Sequence, residues 1–276
     1  MNEPTADERG LERRFVFAST LIEEAAALAL DRFRNLDSLT ITDKGRQDMA
    51  TEADLETETL IRGRLAVAFP EDAFLGEETG RSDVAGSQGI WVVDPIDGTQ
   101  PFICGMTSWC VSIAFVTGGA LEMGFVSSPA RNELFIGRRG RGATLNGRPI
   151  FVRPATRIDD GILYMGYSPR IGADDVIPIF DRVLRQGAVY YREGSGALGL
   201  CYVAAGRLIG YVEPHLNSWD ALGALAVVQA AGGTTNDFLA GDGLWTGAPM
   251  IAGSASLYPT LLAAFEGSDR IASSVD

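Results

Sequence analysis

The chain has 276 residues, 46% of them apolar, with a formal net charge of −13 and a pI near 4.6. This length and composition suit one large α/β domain or two smaller ones, and the acidic charge excludes a broad electrostatic attraction to nucleic acid. No stretch reaches the roughly 18 apolar residues of a membrane span, and the polar first ten residues lack a signal-peptide core, so we predict a cytoplasmic protein without nucleic-acid or membrane partners.

Two helices and a largely antiparallel sheet are predicted for the first part of the chain, residues 1–156. Apolar residues at steps of three and four predict a helix over 11–33. A second helix is predicted from Thr51 to Ala68, with Glu58 and Arg62 paired on its outer face. Its inward residues are predicted to be Leu55, Leu60, Ile61 and Leu65. Strands are predicted at 73–76, 90–93 and 109–115, and a hairpin turn at Asn146-Gly147.

The second part, residues 157–276, alternates between strand and helix patterns. Predicted strands cover 162–165, 189–191 and 208–212. Predicted helices cover 176–184, 196–205, 219–231 and 257–265, with Gly232-Gly233 closing the third of them. There is no repeat or long linker, so the two parts are predicted to form one compact catalytic unit.

An apolar run ends directly in two carboxylates in the segment 91–99, which reads WVVDPIDGT. Asp94 and Asp97 lie three residues apart, Pro95 stiffens the backbone between them, and Gly98 permits a tight turn. Two such carboxylates repel each other unless they share a cation. Amides at the following turn would face a bound phosphate. An ordinary Asp-rich turn with Asx hydrogen bonds remains the alternative interpretation.

Three further acids lie at the ends of apolar elements. Glu77 follows the predicted strand 73–76, Asp54 lies at a helix start, and Asp220 follows Trp219 before another helix. Each has an ordinary explanation by itself, because carboxylates at helix starts commonly act as caps. Together they favour a shared metal site.

The ordered motifs resemble those of the inositol monophosphatase family along nearly the whole chain, from Leu11 to Phe265. The matching segments are Lys44 with the D-x2-T-x2-D spacing of Asp48, Thr51 and Asp54; Gly76-Glu77-Glu78; Asp94 to Thr99; Gly194 to Ala197; Gly206-Arg207 with Glu213; and Trp219-Asp220 with Gly223. The resemblance implies an α/β (α+β) protein with the layered αβαβα sandwich of the inositol monophosphatase and fructose-1,6-bisphosphatase type. It also implies a homodimer and inhibition by Li⁺.

The resemblance further implies a Mg²⁺ site with two or three ions. Its predicted metal ligands are Glu77, Asp94, the Ile96 carbonyl, Asp97 and Asp220. Its predicted catalytic residues are Asp54, Glu77 and Thr99, with Thr99 and Asp54 orienting and deprotonating the attacking water. Its predicted substrate contacts are Asp97, Gly98, Thr99, Gly194, Ser195, Gly196 and Glu213.

The chain departs from the family pattern after Thr99, where it reads Gln100-Pro101 and carries Cys104 before Gly105. The predicted activity is hydrolysis of a small phosphorylated metabolite, with inositol monophosphate first. Histidinol phosphate is an alternative substrate, and fructose 1,6-bisphosphate or a phosphonucleotide is a more distant alternative. A regulatory protein-binding role is an alternative function, since some superfamily members associate with transcription machinery. The single histidine, His215, is predicted to be structural. The three cysteines are predicted to be inert packing residues, and the Arg-rich stretch 137–148 a solvated face.

Overall fold

A computed structural model describes residues 5–36, 41–45, 48–82, 85–168 and 171–267 of the chain. The side chains of residues 41–50 are outside the described part, and with them those of Lys44 and Asp48 in the predicted N-terminal motif. Among the described helices, none is both long and apolar enough to cross a bilayer.

Two helices cover one face of the first sheet. Helix α1 spans Ala6–Arg34 and helix α2 spans Glu52–Ala68. Both begin with a capping box, in which the side chain of the capping threonine and an acid three residues later satisfy each other's backbone amides. The buried face of α1 packs with α2 against apolar side chains of the sheet. Both helices were predicted from the sequence; α2 agrees with the prediction within one residue, whereas α1 begins at Ala6, before the predicted start at residue 11.

Within the described residues, the first sheet has eight strands and is antiparallel except for one neighbouring pair. A separate two-stranded ribbon, β1 (Ile41–Gly45) with β2 (Asp48–Thr51), precedes it. The strands are β3 (Ala73–Gly76), β4 (Gly80–Arg81), β5 (Ile90–Asp97), β6 (Cys110–Thr117), β7 (Ala120–Ser128), β8 (Glu133–Arg138), β9 (Gly142–Leu145) and β10 (Arg148–Ile150), in the order β10-β9-β8-β7-β6-β5-β3-β4. Strands β3 and β5 are parallel and end at the same edge. The predicted turn at Asn146-Gly147 joins β9 to β10, with positive φ at both residues.

In the part of the chain that the structure describes, the second sheet has five strands in the order β12-β11-β13-β15-β14. They are β11 (Ile162–Met165), β12 (Val189–Tyr191), β13 (Gly210–Leu216), β14 (Thr234–Thr235) and β15 (Ala248–Gly253). The remaining helices are α3 (Thr99–Ile103), α4 (Ala173–Arg185), α5 (Gly196–Ala204), α6 (Ser218–Ala230), α7 (Gly243–Thr246) and α8 (Tyr258–Glu266). Strands β12, β11 and β13 run parallel.

Helices α5 and α6 fill the space between the two sheets. Their residues share one apolar core with side chains from both sheets, and α6 approaches the first sheet so closely that a Cβ on Gly124 would lie 2.0 Å from the Gly223 carbonyl oxygen. Helices α4 and α8 pack on the outer face of the second sheet. The layers therefore run αβαβα, as predicted. The division of the chain at residue 157 stays a prediction.

Two expectations about α2 are wrong. Leu55, predicted to face inward, is 47% exposed, whereas Glu58, predicted to pair with Arg62 in solvent, is fully buried. Glu58 is buried because its carboxylate accepts hydrogen bonds from the turn that follows β3, whereas Ile61 and Leu65 face inward as predicted. Burying a carboxylate is favourable only with such partners, and these are peptide amides that the sequence pattern does not reveal.

Candidate active site

Strand β5 delivers two carboxylates to the edge at which it ends. The pairing of β5 with β6 is irregular between Asp94 and Asp97, so the strict alternation of side chains is broken there. Both carboxylates are buried, and the Ile96 amide donates to Asp94 Oδ1 at 3.0 Å. The sequence motif therefore places both acids in the interior and not in a solvated turn.

A third carboxylate comes from the other side of the cleft. Asp220 lies in the first turn of α6 and accepts from the amide and side chain of Asn217 at 3.2 and 3.1 Å. One oxygen each of Asp94, Asp97 and Asp220 lie within 4.8 Å of one another. Asp220 is therefore the acid of a capping box with Asn217 at the start of α6, and it is also a member of the carboxylate cluster.

The cluster is electrostatically unfavourable without a cation. Burial, followed by the charges of Glu77, Asp97 and Asp220, holds the pKa of Asp94 well above its usual range. Burial and the charge of Asp220 raise the pKa of Asp97 to about 7, despite three hydrogen bonds that favour its ionised form. A divalent cation removes this repulsion, and an all-oxygen donor set suits Mg²⁺. The residues present therefore fit the predicted metal.

Asp97 connects strand β5 with the start of helix α5 by hydrogen bonds. Its carboxylate accepts from the Ser195 hydroxyl at 2.5 Å and from the Ala197 amide at 2.7 Å, at the start of α5. Ser195 is fully buried, caps α5 and accepts from the Leu198 amide. The Ser195 hydroxyl, predicted as a substrate contact, is thus committed to holding Asp97.

Thr99 and Asp54 also meet, although they are distant in sequence. The Thr99 hydroxyl lies 3.3 Å from Asp54 Oδ1 and 3.1 Å from the Ile96 carbonyl oxygen. The other oxygen of Asp54 accepts from the Thr51 amide and hydroxyl. Burial raises the pKa of Asp54 to about 6. The arrangement connects a buried acid to a hydroxyl beside the carboxylate cluster.

Gly98 is the residue that allows the chain to turn between these groups. Its φ is +97°, and a Cβ at this position would lie 2.7 Å from the Ser108 carbonyl oxygen. A side chain is excluded both by the left-handed backbone and by the close approach of residue 108. The amides of Gly98 and Thr99 stand at the first turn of α3.

A cavity of about 140 Å³ opens beside the cluster. Five of the site residues predicted from the sequence lie on its wall: Asp97, Gly194, Gly196, Glu213 and Asp220. Glu213 is buried, accepts from the Tyr211 hydroxyl, and has its pKa raised to about 8 by burial. Gly166 makes room for it, since a Cβ there would lie 1.9 Å from Glu213 Oε2. The cavity is thus built around a buried acid next to the carboxylate cluster.

Comparison with known proteins identifies the family. The sequence model of the inositol monophosphatase family matches residues 11–270. This chain belongs to the inositol monophosphatase family. A curated relative, Nus factor SuhB of Pseudomonas aeruginosa, is 34% identical over 244 residues, covering 86% of this chain and 90% of that protein.

Solved structures of inositol monophosphatase family proteins share the fold. The extragenic suppressor protein suhB from Bartonella henselae superposes with a TM-score of 0.84 at 29% identity, covering 91% of this chain and 98% of that one. SaIMPase-II bound to inositol monophosphate gives a TM-score of 0.73 at 25% identity, covering 90% and 91% of the two chains. The predicted fold class and family are therefore confirmed.

Among the residues on the cavity wall that sequence reasoning did not assign to the site are Tyr167, Ser168, Arg192 and His215. These four residues share one feature that the sequence could have indicated: each lies at or just after the end of one of the parallel strands β11, β12 and β13. Carboxyl ends of parallel strands meet at one edge and form ligand crevices. Applying that rule to the predicted strands would have found the first three.

The departures from the family motif lie against the same region. Pro101 packs on Gly194, where a Cβ would lie 2.7 Å from the proline ring. Cys110 is buried and donates to Asp97 Oδ2 at 3.8 Å, and Cys201 is also buried, so both are packing residues as predicted. The prediction is wrong for Cys104, which is exposed at the end of α3 because that short helix presents its last turn to solvent.

Glu77 stands apart from the compact cluster, but its charge contributes to the raised pKa of Asp94. Its backbone is fixed by the turn that Glu58 organises: the amides of Glu78 and Thr79 donate to the Glu58 carboxylate at 2.9 and 2.7 Å. Gly76 leaves room for this carboxylate, since a Cβ there would lie 2.4 Å from Glu58 Cδ. Glu58 therefore fixes the backbone of the turn that directly follows Glu77.

Substituting Glu58 with glutamine should disorder the turn that follows Glu77 and thereby weaken the binding of Mg²⁺. The amide NH₂ would face a backbone N–H in place of an acceptor, which costs about 1–3 kcal/mol. We expect the Mg²⁺ concentration for half-maximal binding to the protein to rise about tenfold. Calorimetric titration with Mg²⁺ measures this. Glu56→Gln, on the exposed side of the same helix, is the control, and equal Mg²⁺ dependence of the two variants would contradict the assignment.

Proposed function

We propose that this chain hydrolyses small phosphate monoesters in a Mg²⁺-dependent reaction, with inositol monophosphate as the first substrate to test. The observation that supports this most strongly is the convergence of three carboxylates, two of them buried, from strand β5 and helix α6 on one point. Their mutual repulsion calls for a divalent cation. The structure of SaIMPase-II with inositol monophosphate supports the substrate, since it shares the fold.

Five residues would hold the two or three ions: Glu77, Asp94, Asp97 and Asp220 through carboxylates, and Ile96 through its carbonyl oxygen. When bound, Mg²⁺ supplies charge for the phosphoryl oxygens and the leaving alkoxide and lowers the pKa of a coordinated water. Thr99 orients the attacking water and passes its proton toward Asp54. Asp54 must be ionised to accept a proton, so activity rises with pH through about 6, the pKa of this carboxyl.

The substrate would lie between the turn at Gly98 and the cavity. Backbone amides of Gly98 and Thr99 hold the phosphate, since peptide N–H groups at a turn bind anions without a further charge. Gly194, Gly196 and Glu213 face the leaving alcohol from the cavity wall. Ser195 contributes through Asp97, which it orients by its 2.5 Å hydrogen bond.

A substrate panel tests the proposal. Purified protein is assayed for phosphate release from inositol 1-phosphate, histidinol phosphate, fructose 1,6-bisphosphate and adenosine 3′,5′-bisphosphate, with Mg²⁺ and with EDTA. We expect Mg²⁺-dependent hydrolysis with preference for inositol 1-phosphate, and inhibition by LiCl at fixed Mg²⁺. If no compound gave Mg²⁺-dependent phosphate release, the proposed phosphatase activity would be wrong. A preference for histidinol phosphate would show that inositol monophosphate is not the preferred substrate.

The thermal stability of the metal-free chain should fall as pH rises, and the stabilisation by Mg²⁺ should grow over the same range. Burial raises the pKa of Asp54, Asp97 and Glu213 to about 6, 7 and 8. The folded metal-free chain therefore binds more protons than the unfolded chain, and the free energy of unfolding falls as pH rises from about 4 to 8. A tenfold change in proton affinity is about 1.4 kcal/mol, so we expect a loss of several kcal/mol.

Melting temperatures measured in EDTA and in Mg²⁺ across this pH range check the prediction. The increase produced by Mg²⁺ should be largest near the alkaline end, because the ions bind ionised carboxylates. A melting temperature in EDTA that stays level or rises with pH would contradict the assigned burial of these acids.

A second candidate function rests on the curated relative named Nus factor SuhB. We propose, as an alternative, that the chain acts by binding a macromolecular partner of the transcription machinery. The test is a pull-down of purified transcription components with the wild type and Asp94→Asn. Stoichiometric binding by both proteins, with no phosphatase activity in the wild type, would favour this role. A homodimer is also proposed from the family, and light scattering tests it.

A further inference from the structure

Two chain segments that are distant in the sequence pack against the turn at Gly98. A Cβ on Gly98 would lie 2.7 Å from the Ser108 carbonyl oxygen and 3.3 Å from Ser195 Cβ. The first contact belongs to the segment 107–109 and the second to the segment 193–195. Both segments are irregular backbone between elements, so side-chain contacts must fix their positions because no ladder of backbone hydrogen bonds does.

One guanidinium contacts both segments. Arg131 ends the short turn Pro129–Arg131 that follows β7. Its Nη2 pairs with Glu193 Oε2 at 2.7 Å, and its Nε donates to the Thr107 hydroxyl at 3.3 Å. Its Nη1 donates to the hydroxyl of Tyr202 in α5. A guanidinium presents its donors in a rigid planar fork, so these bonds fix the two segments relative to each other.

The carboxylate of Glu193 depends on this partner. Its side chain is only 5% exposed, although the residue lies in a loop. Oε2 also accepts from the Tyr191 hydroxyl at 2.8 Å, whereas Oε1 is buried without a hydrogen-bond partner among the described residues. A carboxylate buried in this way needs a cation, and Arg131 supplies it. The pair thereby fixes the backbone two residues before Ser195, whose hydroxyl donates to Asp97 at 2.5 Å.

The chain around Arg131 holds the other segment at a second point. Ser128 directly precedes the turn Pro129–Arg131 and is fully buried, and its hydroxyl donates to the Trp109 carbonyl at 2.9 Å. Trp109 Cα would lie 3.3 Å from a Cβ on Gly98. The segment 107–109 is therefore attached to the end of β7 by two side chains, and Arg131 extends this attachment to the segment before α5.

We propose that Arg131 is a positioning residue for the phosphate side of the site. Its bonds to Thr107 and Glu193 hold the two segments in place. The segments in turn hold the turn at Gly98 and the carboxylate of Asp97. This inference rests on the proposed phosphatase function and adds to it a residue that contacts neither phosphate nor metal. Because Arg131 acts on the phosphate side, its effect on hydrolysis is the same for every leaving alcohol.

Two matched lysine variants test the role. Arg131→Lys keeps the positive charge that the buried Glu193 carboxylate needs, but a single ammonium cannot bond three partners in the geometry of the fork. Arg207→Lys is the control. Arg207 lies over the same Tyr202 ring, 4.8 Å from its centroid, and its ion pair at 2.6 Å is with Glu133, outside both segments.

Kinetics on two substrates give the first measurement. We expect Arg131→Lys to lower kcat about tenfold on both inositol 1-phosphate and 4-nitrophenyl phosphate, with the two losses equal within about twofold. Arg207→Lys should keep kcat within about twofold of the wild type on both. A loss confined to one substrate, equal losses in the two variants, or no loss in Arg131→Lys would overturn the proposal.

Hydrogen exchange gives a second measurement that needs no activity. The Phe102 amide donates to the Gly98 carbonyl at 3.0 Å and reports on the turn. We expect this amide to exchange about tenfold faster in Arg131→Lys than in the wild type or Arg207→Lys, with the amides of α6 unchanged. Unchanged exchange at Phe102, or an equal increase throughout α6, would show that Arg131 does not position the turn. If the wild type hydrolyses neither substrate, the phosphatase function fails separately and exchange alone decides the role of Arg131.

Discussion

Asp94→Asn should lower kcat by about 10³-fold or more while raising the stability of the metal-free protein. Asp94 is the member of the cluster with charges of three other acids acting on it, those of Glu77, Asp97 and Asp220. Removing its charge removes the repulsion that burial enforces. The same change removes a ligand for the cation, whose charge stabilisation is worth several kcal/mol in the transition state.

Steady-state kinetics and melting curves in EDTA and in Mg²⁺ measure the two effects together. The variant should melt at a higher temperature than the wild type in EDTA and gain little from Mg²⁺. Asp174→Asn, an exposed acid in the first turn of α4, is the control and should behave as the wild type in both assays. A variant that loses activity but keeps the full Mg²⁺-induced increase would show that Asp94 is not a ligand.

Thr99→Val should reduce kcat about 10²-fold with little change in Mg²⁺ binding. Valine keeps the shape of threonine and removes the hydroxyl that connects Asp54 with the Ile96 carbonyl. Loss of an oriented proton path typically costs a factor of 10² to 10⁴. Thr99→Ser retains the hydroxyl and should retain most of the activity.

The pH profile gives a readout that a packing defect would not change. In the wild type, kcat should rise with pH through about 6 as Asp54 ionises. In Thr99→Val this step should flatten, because the ionised acid no longer reaches the water. If Thr99→Ser fell as far as Thr99→Val, or if the step persisted in Thr99→Val, the proposed path through Thr99 would be wrong.

Local signals account for most of the elements that the sequence predicted correctly. The apolar spacing of three and four residues in α1 and α2 and the turn pair Asn146-Gly147 each act within a few residues of the chain. Glu58 shows the limit of such signals. The charged residues around Glu58 in α2 predict a solvent-exposed carboxylate. The carboxylate is buried because it accepts hydrogen bonds from two amides of the turn 78–79, which is distant in the sequence.

The cluster residues were predictable because a carboxylate that directly follows a buried apolar strand is unusual without a binding partner. Asp94 and Asp97 are buried acids held in one motif. Arg192 had only its position after a predicted strand as a signal, and His215 lacked any. They reach the cavity because β11, β12 and β13 are parallel and end at one edge, and strand order is set by contacts between residues far apart in the sequence.

The contacts of Asp97 with helix α5 have a consequence for how the protein is made. The carboxylate and the Ala197 amide that it accepts from are 100 residues apart in the chain, and Asp220 joins the cluster only from the first turn of α6. A growing chain that ends before α6 holds at most two of the three clustered carboxylates. The site therefore appears late in synthesis, and a truncated product lacks it even where the first sheet has formed.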